Sequence, residues 1–207
     1  IFDRTELEKL GEEYGIIDPG VDIKKYPVCY ASHATADAVK EIMVANGLLA
    51  RDIASLTCTV PPVVASNLTY HRPRTAAEAQ FSLHFAIASI VLHGDITLKH
   101  LTTEVLSSAP IKRLMAGIIV KVGDIPKQHR SSKSICPEWG YVELNTQSGS
   151  HKSCFVGSPL GSASRPLSDE ILKKKFNDCV QYKNSNNSEF TLYDKILNIE
   201  LLQNAQD

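Results

Sequence analysis

Apolar residues recur at spacings of three and four over most of the chain, which is the period of amphipathic helices. The clearest example begins at Ser32 and ends at Asn46, and Gly47 is the kind of residue that commonly follows a helix. The same period predicts further helices over Thr5 to Tyr14, Thr75 to His93, Leu98 to Leu106, Ala109 to Leu114, Ser168 to Val180 and Leu192 to Leu202.

Alternation of apolar and polar residues predicts strands in the middle of the chain and near its end. Ile53 to Val60 is the best case, because its apolar and hydroxyl-bearing residues alternate until Pro61 and Pro62 end the run. Further strands are predicted over Gly117 to Val122, Tyr141 to Thr146 and His151 to Val156, the last two joined by a Ser/Gly turn. Strands that follow helices and end in a hairpin predict an α+β fold, with a mostly antiparallel sheet and helices packed on it.

The chain divides by pattern into a body, residues 1–165, and C-terminal helices, residues 166–207. The last helix carries more apolar residues than a short tail needs, so it should pack on something. Its partner could be the back of the chain's own sheet, or a domain or subunit outside these residues. Because the first residue is Ile1 and a helical pattern starts almost at once, we expect a piece of a longer polypeptide.

Composition excludes several classes of protein. The chain has 207 residues, 43% apolar and 22% charged, which is typical of a globular domain and not of a disordered tail. Its net charge of -1 gives no electrostatic attraction to nucleic acid or an anionic membrane. The longest apolar stretch, Phe85 to Leu92, is far shorter than the roughly 20 residues that span a bilayer. Five cysteines without a C-x-x-C pair argue against a zinc site and a disulfide scaffold, and favour a reducing compartment.

The densest group of chemically active side chains lies between Ile23 and His33. Pro27 keeps this segment extended, so the lysines at 24 and 25 should lie on a loop or an edge strand. His33 begins the predicted helix, where backbone N–H groups and the helix dipole favour an anion. Imidazole also titrates near neutral pH, so the group suits a carboxylate ligand with a general acid or base beside it.

Structural explanations compete with this functional one. A Lys-Lys pair is usually a solvated surface, a histidine at a helix start is often only a cap, and Asp37 could simply pair with His33 one turn away. Cys29 could be a small buried apolar residue, so we do not assign it as a nucleophile.

A second polar group precedes the predicted helix at residue 75. Thr75 and Glu78 have the spacing of a capping box, which explains them structurally. Arg72 and Arg74 are not explained by capping; they could hold a carboxylate, or they could be merely solvated. The remaining histidines show no spacing typical of metal ligands, so we assign no metal.

Four blocks of residues, taken in order, resemble the second domain of the MmgE/PrpD family. The first two are Ile23-Lys24-x-Tyr26-Pro27-x-Cys29-x-x-x-His33-x-x-x-Asp37-Ala38 and Arg72-Pro73-x-Thr75-x-x-Glu78-Ala79-x-Phe81-Ser82. The third is Cys136-Pro137-Glu138-x-Gly140-x-Val142. The closing block is Gly157-Ser158-Pro159-Leu160-Gly161, then Pro166-Leu167-Ser168-x-Glu170 and Lys175-Phe176. Arg165 stands where the family often has Asn.

The resemblance implies an enzyme that acts on small di- or tricarboxylates without metal, iron-sulfur cluster or organic cofactor. The members of the MmgE/PrpD family include 2-methylcitrate dehydratase, cis-aconitate decarboxylase and iminodisuccinate epimerase. It also implies a site in a crevice between a large helical domain and the α+β domain, with Lys24 and His33 facing the crevice. On this basis His33 and Lys24 are the candidate catalytic residues, and Lys24, Lys25, Cys29 and Arg72 are the candidate substrate-binding residues.

The same resemblance implies that a helical domain would precede Ile1, and that the C-terminal helices would return to it. We also expect a homodimer, and cysteine usage together with the family's metabolism predicts a location in the cytoplasm or the mitochondrial matrix. Dehydration of 2-methylcitrate is the favoured reaction, followed by decarboxylation of cis-aconitate and then by epimerisation of a related dicarboxylate. A non-catalytic fragment that binds ligand or assembles is the alternative of a different class.

Overall fold

The computed structural model describes residues 11–12, 14–132, 134–183 and 192–199, and it combines one sheet with several helices. The helices are α1 (His33–Asn46), α2 (Pro62–Asn67), α3 (Ala76–Gln80), α4 (Leu83–His93), α5 (Thr103–Ser107), α6 (Ala109–Gly117), α7 (Asp169–Lys183) and α8 (Leu192–Leu197). The strands are β1 (Ile53–Val60), β2 (Ile118–Val122), β3 (Gly140–Thr146) and β4 (His151–Val156). Single 3-10 turns occupy Tyr30–Ser32, Ala50–Asp52, Leu98–His100 and Lys127–His129.

The sheet has the order β2-β1-β3-β4 and is mixed. β1 pairs with β3 and β3 pairs with β4 in antiparallel fashion, whereas β1 pairs with β2 in parallel. The α+β class is therefore confirmed, but the sheet is not antiparallel throughout. The reason is the long helical connection α2 to α6, which crosses over and brings the chain back into the sheet in the same direction.

The core lies between the sheet and a layer of helices. α1 packs on β3 and β4, and α4 packs on α1 and α6. Leu56, Cys58 and Val60 of β1 are buried, as expected for alternate residues on one face of a strand. Most of α4 is buried, including Phe85, Ala86, Ile87 and Ile90, because other helices and the sheet surround it. The apolar positions that the sequence periodicity predicts to face inward are therefore buried in the observed core.

The helices differ from the predicted ones at three places. The helix expected over Leu98 to Leu106 is a 3-10 turn, Leu98–His100, followed by α5. The helix expected over Thr75 to His93 is interrupted, because Ser82 is extended and its hydroxyl accepts a hydrogen bond from the Phe85 amide to cap α4. The helix α2 was not predicted; Pro62 occupies its first turn, where proline is tolerated. The predicted helix that begins at Thr5 falls almost entirely outside the described residues, as do residues 200–202 of the last one.

An ion pair joins the C-terminal helices to the rest of the chain, and an aromatic contact joins them to each other. The Lys174 ammonium on α7 lies 3.1 Å from the Asp95 carboxylate, and α7 contacts the turn Leu98–His100. Tyr193 anchors α8 by packing its ring against Phe176, with 5.5 Å between the ring centroids. The outer side of α8 exposes the apolar side chains of Leu192, Ile196 and Leu197, and Ile199 just beyond the helix is exposed as well. None of the helices in the described ranges is both long enough and apolar enough to cross a membrane.

Candidate functional site

Asp37 on the second turn of α1 is the centre of a buried hydrogen-bond network. One carboxylate oxygen, Oδ1, lies 3.0 Å from the Lys25 ammonium and accepts a hydrogen bond of 2.9 Å from the Tyr26 hydroxyl. The other oxygen, Oδ2, accepts a hydrogen bond of 2.7 Å from the backbone amide of Leu160. Burial and then the nearby Asp37 charge raise the pKa of Tyr26, so its hydroxyl stays protonated and donates. Asp37 thus pairs with the preceding loop and with the loop near residue 160, not with His33.

Lys24 lies on the loop between two fixed points and is exposed. Before it, the amide of Ile23 donates a hydrogen bond of 2.7 Å to the carbonyl of Gly161. After it, Lys25 and Tyr26 are bound to Asp37. Among the described residues Lys24 itself makes no hydrogen bond or ion pair, so its ammonium group is available to an anion.

Lys25 differs from Lys24 although the two are adjacent. Its side chain is only 12% exposed, its ammonium is paired with Asp37, and it lies 4.6 Å from the centre of the Tyr26 ring. A ligand carboxylate would have to compete with Asp37 for it. The role of Lys25 in binding a substrate stays a prediction, and Lys24 is the stronger candidate.

His33 begins α1 and is fully buried, together with the rest of the first helical turn. Its ring lies 5.1 Å from each of the rings of Tyr26 and Tyr30. Nε2 lies 3.4 Å from the Val28 carbonyl, an acceptor, so Nε2 carries the proton and Nδ1 is left without a partner among the described residues. Burial lowers the pKa of His33 to about 4, so the imidazole is neutral at pH 7.

Gln80, at the end of α3, is bonded to the segment that contains Cys29, and Arg72 lies in the loop that precedes the same helix. The Cys29 amide donates to the Gln80 carbonyl at 2.8 Å, and the Gln80 side chain donates to the Pro27 carbonyl at 3.2 Å. Arg72 is exposed in the loop before α3, and Cys29 is partly buried. These bonds bring the Cys29 segment to the end of α3, but no hydrogen bond or ion pair among the described residues joins Arg72 to Lys24 or Cys29. Of these candidates, Lys24 and Arg72 are exposed.

The loop of residues 157–165, hereafter the closing loop, entered the sequence analysis only as part of the closing block of the family motif, without a predicted role. It contacts the Lys24 segment at two places: the Gly161 carbonyl accepts from Ile23, and the Ala163 amide donates to Asp22 at 2.8 Å. Arg165 at its end forms an ion pair with Glu41 of α1. Glycines at 157 and 161 were the available signal for a tight loop, but spacing alone could not show what it touches.

Two cavities lie away from the candidate residues, one of them of about 430 Å³ between β1 and α6, whereas a third and small one reaches Lys25. A cavity of about 660 Å³ lies between the ends of α1 and α4; its lining is mostly apolar and does not include Lys24, Cys29 or Arg72. A smaller one of about 60 Å³ is lined by Lys25 and Pro27 together with residues of α7. Across the described residues, no three His, Cys, Asp or Glu side chains come together as metal ligands. Lys24 lines none of these cavities and is exposed.

Comparison with known proteins agrees with the order of the sequence motifs. The family model described as MmgE/PrpD C-terminal domain matches residues 26–198, which includes α1 to α8 and the whole sheet. No curated protein matches the chain. Since the match covers most of the 207 residues, the chain belongs to the MmgE/PrpD family and contains its C-terminal domain.

Proposed function

We propose that this chain is the substrate-binding domain of an enzyme that acts on small di- or tricarboxylates, and that Lys24 binds one carboxylate of the substrate. The observation that supports this is the contrast between the adjacent lysines. Lys25 is paired with Asp37, whereas Lys24 is exposed and has no partner in the described part of the chain. Because the backbone is fixed on both sides of Lys24, binding an anion orders only its side chain and not the loop.

Dehydration of 2-methylcitrate, which breaks a C–O bond, is the proposed reaction. A proton leaves the carbon beside a carboxylate and the hydroxyl group departs as water, while negative charge develops on that carboxylate. A cation in contact with the carboxylate stabilises that charge. Lys24 would supply this cation and Arg72 a second one. Decarboxylation of cis-aconitate has the same need, which makes it the alternative.

His33 is the second candidate catalytic residue. Its Nδ1 has no partner among the described residues and the imidazole is neutral at pH 7, so Nδ1 can accept a hydrogen bond from a substrate group. Because the side chain is fully buried, we expect its replacement to change substrate binding less than replacement of Lys24.

We also propose that the intact enzyme is a homodimer in which a helical domain precedes this one and covers the exposed side of α8. Family membership and the three exposed apolar residues of α8 support this arrangement. Cytoplasm or mitochondrial matrix is the corresponding location. A fragment that binds ligand without turnover remains the alternative for the 207 residues alone.

The test is incubation of the chain with 2-methylcitrate, citrate and cis-aconitate, followed by NMR, together with calorimetric titration by citrate. Lys24→Ala should weaken citrate binding by about 1.5 to 3 kcal/mol, the contribution of one charged hydrogen bond. Lys112→Ala, on the exposed surface of α6, is the matched control and should bind as the parent chain does. Binding without turnover would support the binding role and leave catalysis to the complete enzyme. Binding by the parent that Lys24→Ala does not weaken would contradict the assignment of Lys24.

A further inference from the structure

The closing loop has no role in the chemistry above, yet it holds the segment that presents Lys24. Its backbone is bonded internally, with the Gly161 amide donating to the Arg165 carbonyl at 2.8 Å and the Arg165 amide donating to the Ser162 carbonyl at 2.9 Å. It is also attached to α1 twice, through Leu160 to Asp37 and through Arg165 to Glu41. The loop is therefore a rigid body fixed to the helix.

The contact between this rigid loop and the Lys24 segment is unusually close at Gly161. A Cβ built on Gly161 would lie 2.2 Å from the carbonyl oxygen of Ile23, the residue immediately before Lys24. Its φ of +104° is also a conformation that residues other than glycine rarely adopt. Only glycine lets the two backbones approach closely enough for the hydrogen bond from the Ile23 amide to the Gly161 carbonyl.

We propose that the closing loop positions Lys24, and that Gly161 is the positioning residue through which it does so. This inference rests on the proposed function, since it assigns the loop a role in placing the cation that binds the carboxylate. The loop fixes the backbone on the N-terminal side of Lys24 through Asp22 and Ile23. Asp37 fixes the C-terminal side through Lys25 and Tyr26 and also holds the loop through Leu160. The backbone on both sides of Lys24 is therefore fixed, directly or through the closing loop, to α1.

Gly161→Ala tests the inference, because it changes no charge and pushes directly on Ile23. The matched control is Gly149→Ala in the β3–β4 turn, where φ is also positive at +84° but nothing lies within 4 Å of the new Cβ. In calorimetric titration with citrate we expect Gly161→Ala to weaken binding by about tenfold, as for loss of a charged contact. Gly149→Ala should stay within about twofold of the parent.

A double-mutant cycle separates positioning from general damage to the fold. In a Lys24→Ala background the cation is already absent, so Gly161→Ala should change the citrate Kd by less than about twofold. An equal loss in both backgrounds, or equal effects of Gly161→Ala and Gly149→Ala, would overturn the inference. If Gly161→Ala does not fold, Asp22→Ala removes the second contact of the loop from an exposed position and should weaken binding in the same Lys24-dependent way.

Failure of the proposed function gives a different result from failure of the positioning role of Gly161. If the parent chain binds no citrate, the positioning claim is read from amide hydrogen exchange instead. Gly161→Ala should then speed exchange of the Ile23 amide by about tenfold or more, whereas Gly149→Ala should not. Unchanged protection of Ile23 would overturn the inference whatever the ligand is.

Discussion

The amide of Leu160 donates a hydrogen bond of 2.7 Å to the carboxylate of Asp37, and this contact joins the closing loop to α1 across 123 positions of the sequence. The same carboxylate binds Lys25 and Tyr26 and is only 3% exposed. One buried acid therefore connects three segments that carry the family motifs. Its three partners make it a determinant of stability as well as of the candidate site.

Asp37→Ala should destabilise the chain by about 3 to 5 kcal/mol, because it leaves the Lys25 ammonium, the Tyr26 hydroxyl and the Leu160 amide without their acceptor. Urea unfolding followed by circular dichroism measures the loss. Asp52→Ala removes an exposed carboxylate that caps only the short turn Ala50–Asp52, so it should cost less than about 1.5 kcal/mol. Equal losses in the two variants would contradict the central role of Asp37.

Gly140→Ala should destabilise the fold by about 1 to 3 kcal/mol or more through overpacking. A Cβ at Gly140, the first residue of β3, would lie 2.5 Å from the Thr35 hydroxyl and 2.7 Å from the Thr35 backbone. Helix α1 therefore approaches the sheet so closely that only glycine fits. The control is Gly117→Ala at the end of α6, where nothing lies within 4 Å and φ is not positive. Its stability should be unchanged or raised by up to about 1 kcal/mol. Urea unfolding of the two variants distinguishes them, and a stable Gly140→Ala would show that α1 can move away from β3.

Much of the fold could be predicted from the sequence, because the core elements bury one face and so carry a regular period. Ile53–Val60 and His151–Val156 match the predicted strands residue for residue, and α1 begins one residue later than predicted. The interruption at Ser82 was missed because the apolar period runs through it while the hydroxyl caps the next helix. The parallel pairing of β1 with β2 was missed because pairing depends on the path of the connection, which no local period encodes.

The candidate site was less predictable, since its key contacts join distant parts of the chain. Lys24 and Lys25 look alike in sequence, and only the position of Asp37 separates a paired lysine from an unpaired one. Asp37 follows His33 at a spacing that suggests a pair on one helix face, but it turns to Tyr26 and Leu160 instead. The family match covers residues 26–198, which include Asp37 and Leu160 but not Lys24 or Lys25, and the contacts among these residues required the structure.

The exposed apolar side of α8 should make the chain bind a hydrophobic dye. Ile196 is 49% exposed and Leu197 is 57% exposed, and they neighbour each other on α8. Ile196→Ser together with Leu197→Ser should lower dye fluorescence and reduce association at high concentration, measured by light scattering. Val122→Ser, which removes a similarly exposed side chain from the end of β2, is the control and should have a smaller effect. If the α8 variant and the control lose equal fluorescence, α8 is not the dominant apolar surface.

Stability should fall as pH falls from about 6.5 toward 4, and His33 should account for part of the loss. Burial lowers its folded-state pKa to about 4, opposed in part by Val28 and Asp37, whereas an exposed histidine in the unfolded chain titrates near 6.5. The folded state therefore holds fewer protons than the unfolded state in this window, so the contribution is fully present above about pH 6.5 and is lost on acidification. His84, partly buried beside His71, has a pKa lowered to about 4 and acts in the same direction.

The pH effect is tested with His33→Gln, which keeps an amide that can donate to Val28 and removes the titration. Between pH 7 and pH 5 the parent should lose about 2 kcal/mol more of unfolding free energy than this variant, from the proton linkage of one histidine with the pKa values above. Urea unfolding at both pH values gives the change in unfolding free energy between pH 7 and pH 5 for the parent and for the variant. Comparing these two changes cancels any destabilisation by the substitution that does not depend on pH. His151→Gln, on the exposed end of β4, is the control and should keep the parental pH dependence. A parental pH dependence in His33→Gln would mean that His33 is as easily protonated in the folded state as in the unfolded one.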